Sequence, residues 1–215
     1  MLSEVEASPS CPTHSTLFRQ AQHRSGQVLN MKIPDKAKLV FKGEIFETYQ
    51  WEQEMFDGSV ATFEALKRPD TVQILPTIND KIILSREEQP NKPLSDSLLG
   101  GRIEENEEPL EAAKRELHEE SGLESDDWEL VKTFENGGKI EWNVYLYVAR
   151  NCKKVAEPHL DPGEKIELNE VSFEEFLDIV SSEKFWGQDI ANYILRMRLY
   201  KEKLEKFRKK VFKEH

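Results

Sequence analysis

The chain has 215 residues, of which 38% are hydrophobic and 33% charged, and its formal net charge is −11. These values are ordinary for a soluble globular protein with one domain and appendages, or with two small domains. No apolar run approaches the roughly 18–20 residues that a membrane-spanning helix needs, and the N-terminus lacks a signal-peptide core, so no membrane partner is expected. The negative charge repels long polyanions, so a nucleic-acid partner is not expected either.

Cysteine content and charge also bear on compartment and ligand. Cys11 and Cys152 are too few for a disulfide framework, and both are expected to be free thiols in a reducing compartment. This predicts a cytoplasmic protein. An acidic chain can still bind a small phosphorylated molecule if Mg²⁺ or Mn²⁺ bridges carboxylates and phosphate.

The first thirty residues are rich in Ser, Gln, Pro and His and show no sustained period. This composition predicts a disordered tail over residues 1–30. A stretch of different character begins at Met31, so an equal alternative is that translation starts there and the tail is absent.

Residues 31–70 are predicted to form an N-terminal antiparallel β-region. The segment LVFKGEIFETYQWEQEMF alternates loosely, Asp57-Gly58 is a turn signal, and VATFEALKR is the returning strand. A second hairpin is predicted from Thr71–Ile78 and Lys81–Arg86, with its turn at Asn79-Asp80.

A helix is predicted from Pro109 to Ser121, with Pro109 at its first position and Gly122 placed to end it. Its buried stripe is Leu110, Ala113 and Leu117. Further strands are predicted at 129–134, 140–149 and 165–171, followed by a helix over 173–180 that Ser172 can cap.

One long helix is predicted from Trp186 to Phe212. Its docking stripe is Ile190, Ile194, Met197 and Leu204, and its many lysines and arginines are interpreted as a solvated face. A nucleic-acid patch is the alternative interpretation of the same basic residues.

Three acids of the predicted 109–121 helix can share one face, because Glu119 and Glu120 follow Glu116 by three and four residues. Like charges at this spacing destabilise a helix by a few tenths of a kcal/mol per pair. A divalent cation with oxygen ligands would compensate. The pair Gly100-Gly101 would let a backbone carbonyl come close to the same place. The alternative is a solvated acidic helix.

The spacing of the Gly, Glu and Arg residues from Gly101 onward favours the metal-site interpretation. From Gly101 there are five residues to Glu107, seven to Arg115-Glu116-Leu117, one to Glu119-Glu120, and one to Gly122-Leu123. Seven fixed and two aliphatic positions would match by chance on the order of once in 10⁸ starting positions. This stretch is a complete Nudix box, and the chain resembles the Nudix hydrolase family. Leu99 stands where many members have proline.

The resemblance implies an α/β fold, an α/β/α sandwich with a mixed β-sheet. It would comprise the β-region at 31–70, the hydrolase domain at 71–181 and a C-terminal helix at 182–215. The strands before Thr71 also resemble, less specifically, the N-terminal region of the ADP-ribose and nucleotide-sugar pyrophosphatase branch. In that branch this region often builds a homodimer.

The resemblance further implies metal-dependent hydrolysis of a phosphoanhydride in a nucleoside diphosphate, which would yield a nucleoside monophosphate and a sugar phosphate. Glu116, Glu119 and Glu120 would be the metal-binding and catalytic acids, helped by the Gly100 carbonyl. Arg115 and Glu107 would pair to fix the helix, with Gly101 and Gly122 as structural glycines; Arg115 as a phosphate ligand is the alternative. Glu164 is the expected general base, with Glu167 and Asp161 behind it; the equal alternative is that Glu164 is an exposed loop acid.

The substrate-binding candidates are Arg86, Glu87 and Gln89 after the second core strand, and the aromatic residues Trp51, Phe56 and Trp142. Strand aromatics also serve core packing. The stretch 134–138 lacks a proline often seen in ADP-ribose hydrolysing members, which weakens that substrate specifically. The alternatives are a house-cleaning nucleoside triphosphate pyrophosphatase, a catalytically silent nucleotide sensor, and a decapping-type hydrolase. Silent members usually lose box glutamates, and here all are present.

Overall fold

The computed structural model describes residues 32–90, 92–135, 138–160 and 162–213. The predicted tail at 1–30, with Cys11, lies outside the described residues, as does Asp161. Among the described helices, none is long and apolar enough to cross a membrane.

The predicted N-terminal β-region is an antiparallel sheet of β1 (Lys38–Lys42), β2 (Glu47–Glu54) and β3 (Val60–Lys67). The predicted turn joins β2 to β3: the Ser59 amide donates to the Asp57 carboxylate over 3.0 Å, and Gly58 has a φ of +82°. A short later strand, β9 (Ile140–Glu141), pairs with β3 in parallel. The chain that follows the box therefore adds a strand to the sheet of the β-region.

A larger mixed sheet carries the rest of the fold. Its strands are β4 (Thr71–Ile78), β5 (Lys81–Gln89), β6 (Lys92–Ser97), β8 (Asp127–Glu135), β10 (Asn143–Arg150), β12 (Lys165–Val171) and β13 (Phe185–Trp186). The order is β13-β6-β5-β4-β10-β8, with β12 paired to β5. β4–β10 and β6–β13 are parallel. A separate small ribbon pairs β7 (Leu123–Glu124) with β11 (Lys153–Lys154).

The predicted second hairpin is present, but β4 and β5 pair only next to their turn, where Asn79 has a φ of +54°. Beyond the turn, β6 pairs with β5 on the edge that β4 leaves, whereas β12 pairs along the other edge, from Val171 at one end to Lys165 at the other. The strands β4 and β5 therefore diverge beyond their turn.

The helices α1 (Pro109–Ser121) and α2 (Phe173–Val180) have the predicted bounds. Gly122 ends α1 in the left-handed region, with its amide donating to the His118 carbonyl over 2.7 Å. Ser172 and Glu175 cap α2 reciprocally, each side chain binding the other residue's amide. The local signals for both helices are thus confirmed.

The C-terminal stretch differs from its prediction as one long helix. Phe185–Trp186 is the strand β13, and two helices follow, α3 (Gln188–Arg198) and α4 (Lys201–Phe212), separated by an extended Tyr200. A single helix of that length would span about 40 Å and carry its end past the core. The break lets the apolar stripes of both helices bury.

Two apolar clusters lie on the sheet's faces and make the fold an α/β/α sandwich, as predicted. One packs α1 through Ala112, Ala113 and Leu117 against β4 and β5. The other packs α2, α3 and α4 against the opposite face. In α3, the predicted docking residues Ile190, Ile194 and Met197 are buried, and Leu204 of α4 packs beside them.

Candidate active site

The glycine pair Gly100-Gly101, at the start of the box, lies directly against β4. The amides of Ile74 and Val72 donate to the carbonyls of Leu99 and Gly101, over 2.8 and 2.9 Å. Gly100 has a φ of +139°, and a Cβ there would lie 2.2 Å from the Val72 carbonyl oxygen. Only glycine suits both the backbone angle and the contact.

The same loop contacts the acids of α1. The Gly100 amide donates to Glu120 Oε2 over 2.7 Å. A Cβ on Gly101 would lie 2.4 Å from Glu116 Oε1, so the absent side chain leaves space for that carboxylate. The predicted close approach of backbone to the carboxylates is therefore made through an amide; the role expected of the Gly100 carbonyl stays a prediction.

Glu120 is the most buried of the box acids, with 8% of its surface exposed. Burial raises the pKa of its carboxyl well above the ordinary value, the Gly100 amide opposes this, and the charges of Glu116, Glu164 and Glu87 add to it. Burial also raises the pKa of Glu116, with Arg115 opposing and Glu119 and Glu164 adding. The site thus concentrates negative charge away from water.

These electrostatic effects indicate that acids from separate elements lie near one another. Glu164, which precedes β12, lies close enough to affect the pKa of both Glu116 and Glu120. The charge of Glu87 on β5 also raises the pKa of Glu120. The expected general-base residue therefore lies next to the box.

Arg115 holds the acids of the box in place. Its Nε and Nη2 form a two-pronged pair with Glu107, at 2.9 and 3.0 Å, and Nη2 also donates to the Arg102 carbonyl. Its Nη1 donates to Glu116 Oε1 at 2.9 Å and to Glu119 Oε2 at 3.0 Å. The hydrogen bonds from Arg115 lower the pKa of Glu107, and that pairing raises the pKa of Arg115.

The chemistry of these donors fits a hard divalent cation, which prefers carboxylate oxygens. Glu116 and Glu120 are withdrawn from water and repel one another, and a cation would relieve both costs. Within the described ranges, no three His, Cys, Asp or Glu side chains converge on one point. Arg115 accounts for part of this, because Nη1 draws one oxygen of Glu116 and one of Glu119 to itself.

Two cations near the box were not found from the sequence. Arg68 lies with its Cζ 4.5 Å from the centre of the Trp142 ring and 5.8 Å from that of Phe46. Its Nε is buried and has no hydrogen-bond partner among the described residues. Burial and then the charge of Arg102 lower the pKa of Arg68, so the two guanidinium groups are neighbours. Arg102 directly follows the glycine pair, but no local signal marks Arg68.

The two predicted substrate tryptophans occupy different places. Trp142 donates from Nε1 to Thr71 Oγ1 over 3.1 Å and lies against Arg68, near the glycine loop. Trp51 is only 6% exposed and lines a cavity of about 440 Å³ whose lining belongs wholly to residues 36–62. Phe56 is fully exposed within the β2–β3 turn.

The candidates on β5 divide between the two faces of the sheet, because successive side chains of a strand point to opposite sides. Glu87 binds Gln89 and Lys92, and so brings Gln89 into the neighbourhood of the carboxylates. Arg86 pairs instead with Asp96 at 3.4 Å and lies opposite Glu167 of β12. Arg86 and Glu167 therefore lie on the other face.

Comparison with known proteins agrees with this site. The family model of the NUDIX domain matches residues 67–192, more than half of the chain. The chain is 29% identical over 157 residues to a methanol dehydrogenase activator of Bacillus methanolicus, covering 70% of this chain and 84% of that protein. It is 29% identical over 172 residues to an ADP-ribose pyrophosphatase of Bacillus subtilis (strain 168), covering 77% and 91%.

A solved structure described as an ADP compounds hydrolase shares the fold, with a TM-score of 0.64 at 21% identity, over 80% of this chain and 99% of that one. Family match, relatives and fold thus agree with the family resemblance of the box. The chain belongs to the Nudix family and is a Nudix hydrolase.

Proposed function

We propose that this hydrolase cleaves the phosphoanhydride of ADP-ribose or a related nucleotide sugar, with Mg²⁺ or Mn²⁺, and releases a nucleoside monophosphate and a sugar phosphate. The observation that carries the proposal is the set of carboxylates on α1, with Glu120 buried and the charges of Glu164 and Glu87 acting on it. The B. subtilis relative, an ADP-ribose pyrophosphatase, supports the substrate class.

Glu116, Glu119 and Glu120 would hold the cation, with the Gly100 carbonyl as a further oxygen ligand. When bound, Mg²⁺ or Mn²⁺ would neutralise charge on the diphosphate and lower the pKa of a bound water. Arg115 and Glu107 orient the helix that carries these acids, since they fix its face by paired hydrogen bonds.

Other residues of the chain would act on the diphosphate and the attacking water. Arg68 and Arg102 are neighbouring cations beside the glycine loop, and a diphosphate oxygen would satisfy the buried Nε of Arg68. Glu164 would accept the proton of the attacking water on a carboxylate oxygen. The water oxygen would bond to one phosphorus, the bond from that phosphorus to the bridging oxygen would break, and the leaving phosphate would keep that oxygen.

The test is product analysis with a substrate panel, using the purified protein with Mg²⁺, Mn²⁺ or EDTA. ADP-ribose and other nucleotide sugars are expected to give a nucleoside monophosphate and a sugar phosphate only with a metal. Glu120→Gln, which keeps shape but removes the charge, is expected to reduce turnover by at least about 100-fold. Glu164→Gln should also reduce turnover, whereas Glu167→Gln, on the other sheet face, is the matched control and should not.

The same panel separates the alternatives. Preferred release of pyrophosphate from nucleoside triphosphates would replace the proposal with a house-cleaning activity. Tight nucleotide binding without turnover on any substrate would indicate a sensor. Turnover of capped RNA above all others would indicate a decapping-type enzyme.

We further propose that the chain forms a homodimer through the N-terminal sheet. Large exposed apolar side chains concentrate there, among them Leu39, Phe41 and Val60. Contiguous apolar surface of this kind marks interaction sites. Light scattering after size-exclusion should give a dimer mass that Phe41→Ser with Val60→Ser reduces to a monomer. Leu199→Ser, at a 77% exposed position of the C-terminal region, is the matched control. A monomeric wild-type protein would contradict the proposal.

A further inference from the structure

An exposed tryptophan lies at the edge of the larger sheet. Trp186 belongs to β13 and keeps 59% of its surface exposed. The Lys92 ammonium lies 4.8 Å from the centre of its ring. The same ammonium lies 3.1 Å from Glu87 Oε2, so Lys92 connects the ring to an acid of the candidate site.

Strand register places Trp186 on a defined face of the sheet. Trp186 pairs with Ser97 of β6, and Ser97 pairs with Ser85 of β5. Paired residues of neighbouring strands project to the same side. Ile83, two residues before Ser85, is buried in the cluster that packs α1. Trp186 therefore lies on the face that also carries α1.

The polar residues of this face lie between Trp186 and the box. Glu87 is two residues beyond Ser85, and its charge raises the pKa of Glu120. Ser95 of β6 pairs with Glu87 and is only 7% exposed. Its Oγ has no hydrogen-bond partner among the described residues. An open aromatic ring and a cation thus lie on the same face as Glu87, an acid whose charge affects Glu120.

We propose that Trp186 and Lys92 form a shelf on which the nucleobase of the substrate stacks. The inference rests on the proposed hydrolysis of a nucleoside diphosphate and adds the residue that selects its aromatic moiety. A base presents a flat π-face to the exposed indole, and such stacking tolerates any base. Glu87 offsets the charge of Lys92, so the shelf suits an uncharged ring, and the cations Arg68 and Arg102 remain for the phosphates.

The other aromatic candidates are less suited to this task. Trp51 is buried in the N-terminal sheet, and Trp142 is partly buried, packs against the apolar cluster of α2, α3 and α4 and donates its Nε1 hydrogen to Thr71. Trp186 was not identified from the sequence, because the stretch around it resembles the start of a helix.

The test is binding of AMP and of ribose 5-phosphate, each with Mg²⁺, to the full chain by calorimetry. Trp186→Ala is expected to weaken AMP binding about tenfold and leave ribose 5-phosphate binding unchanged. Trp186→Phe, which keeps an aromatic ring, should restore most of the AMP affinity. Tyr200→Ala is the matched control, because Tyr200 is a similarly exposed ring with Lys203 at 4.5 Å but belongs to the α3–α4 junction.

Two further readouts make the test independent of how well the alanine variant folds. AMP should quench the indole emission of the wild type, and Trp186→Phe should lose that quenching, although Trp51, Trp128 and Trp142 remain. On ADP-ribose, Trp186→Phe and Trp186→Ala should raise KM in that order and leave kcat nearly unchanged.

Wild-type AMP affinity in Trp186→Ala would overturn the shelf, as would an equal loss for AMP and ribose 5-phosphate or an absence of AMP binding to the wild type. The two proposals fail separately. Metal-dependent turnover by the wild type together with an unaffected alanine variant overturns only the shelf. Absence of turnover overturns the proposed function, whatever the binding data show.

Discussion

Gly100 shows how a single backbone position limits the site. Its φ is +139°, and a side chain would meet the Val72 carbonyl. Gly58 also has positive φ, but nothing lies within 4 Å of a Cβ there. We expect Gly58→Ala to lower the free energy of unfolding by about 1–2 kcal/mol, from backbone strain alone.

Gly100→Ala should cost at least about 3 kcal/mol, because strain and overlap add. It should also reduce turnover, since the Gly100 amide would move away from Glu120. Urea unfolding of both variants and their rates of product release measure these effects. Equal costs for the two substitutions would show that the contact with Val72 is unimportant.

We propose that Arg115 is a positioning residue, because its guanidinium donates hydrogen bonds to three acids. Arg115→Ala should lower turnover by about 10–100-fold, as loss of a residue that orients metal ligands does. The half-saturating Mg²⁺ concentration should rise, which a purely global loss of stability would not cause. Lys114→Ala is the control: Lys114 forms an exposed pair with Glu111, whose loss should change stability by less than about 0.5 kcal/mol. An unchanged Mg²⁺ requirement in Arg115→Ala would contradict this role.

At the scale of elements, α4 is attached to β8 and β10 by charge as well as by apolar packing. The buried Arg150 binds Asp127 and Glu129, and its Nε donates to the Lys210 carbonyl over 2.8 Å. Lys213 and Lys210 of the C-terminus pair with the same two acids, each at 2.8 Å. These partners lower the pKa of Asp127, mainly through Lys213, and of Glu129, mainly through Lys210.

This attachment predicts an acid-dependent loss of stability. A carboxyl whose folded pKa is lowered stabilises the fold above its ordinary pKa, here 3.8 and 4.5. That contribution is lost as pH falls through the lower folded values. Urea midpoints should therefore fall between pH 5 and 3, and less steeply in Asp127→Asn with Glu129→Gln. Parallel curves for the variant and the wild type would contradict the prediction.

Local sequence signals account for α1 and α2, because proline, glycine and capping residues act within one or two turns. They do not account for the break at Tyr200. That break depends on where the core ends, and α3 and α4 each present an apolar stripe of helical period. Tertiary packing therefore decides between one helix and two.

At the scale of the whole molecule, every candidate site residue lies between Met31 and Phe212. A chain that starts at Met31 should keep the turnover, metal requirement and urea midpoint of the full chain. Comparison of the two purified proteins tests this. A loss of activity in the shorter chain would assign a function to residues 1–30. It would contradict the prediction that these residues are dispensable.

The box acids could be located from sequence because fixed spacing on one helix brings Glu116, Glu119 and Glu120 together. Residues that strand pairing brings together from distant parts of the chain could not be located in this way. Arg68 and Arg102 meet only because β4 lies beside the glycine loop, and Trp186 reaches the α1 face only through β6. Glu164 was accessible only through resemblance to the family loop.

Cys152 has a consequence for how opening of this fold can be followed. Burial raises the pKa of its thiol to about 11, and its Sγ lies 3.3 Å from the Ala149 carbonyl oxygen. The thiolate is the form that attacks an alkylating reagent, so the buried native thiol is protected. In a chain that starts at Met31, Cys152 is the remaining cysteine. Its labelling rate would then measure how often the fold opens at the β10 end of the core, and no dye needs to be attached.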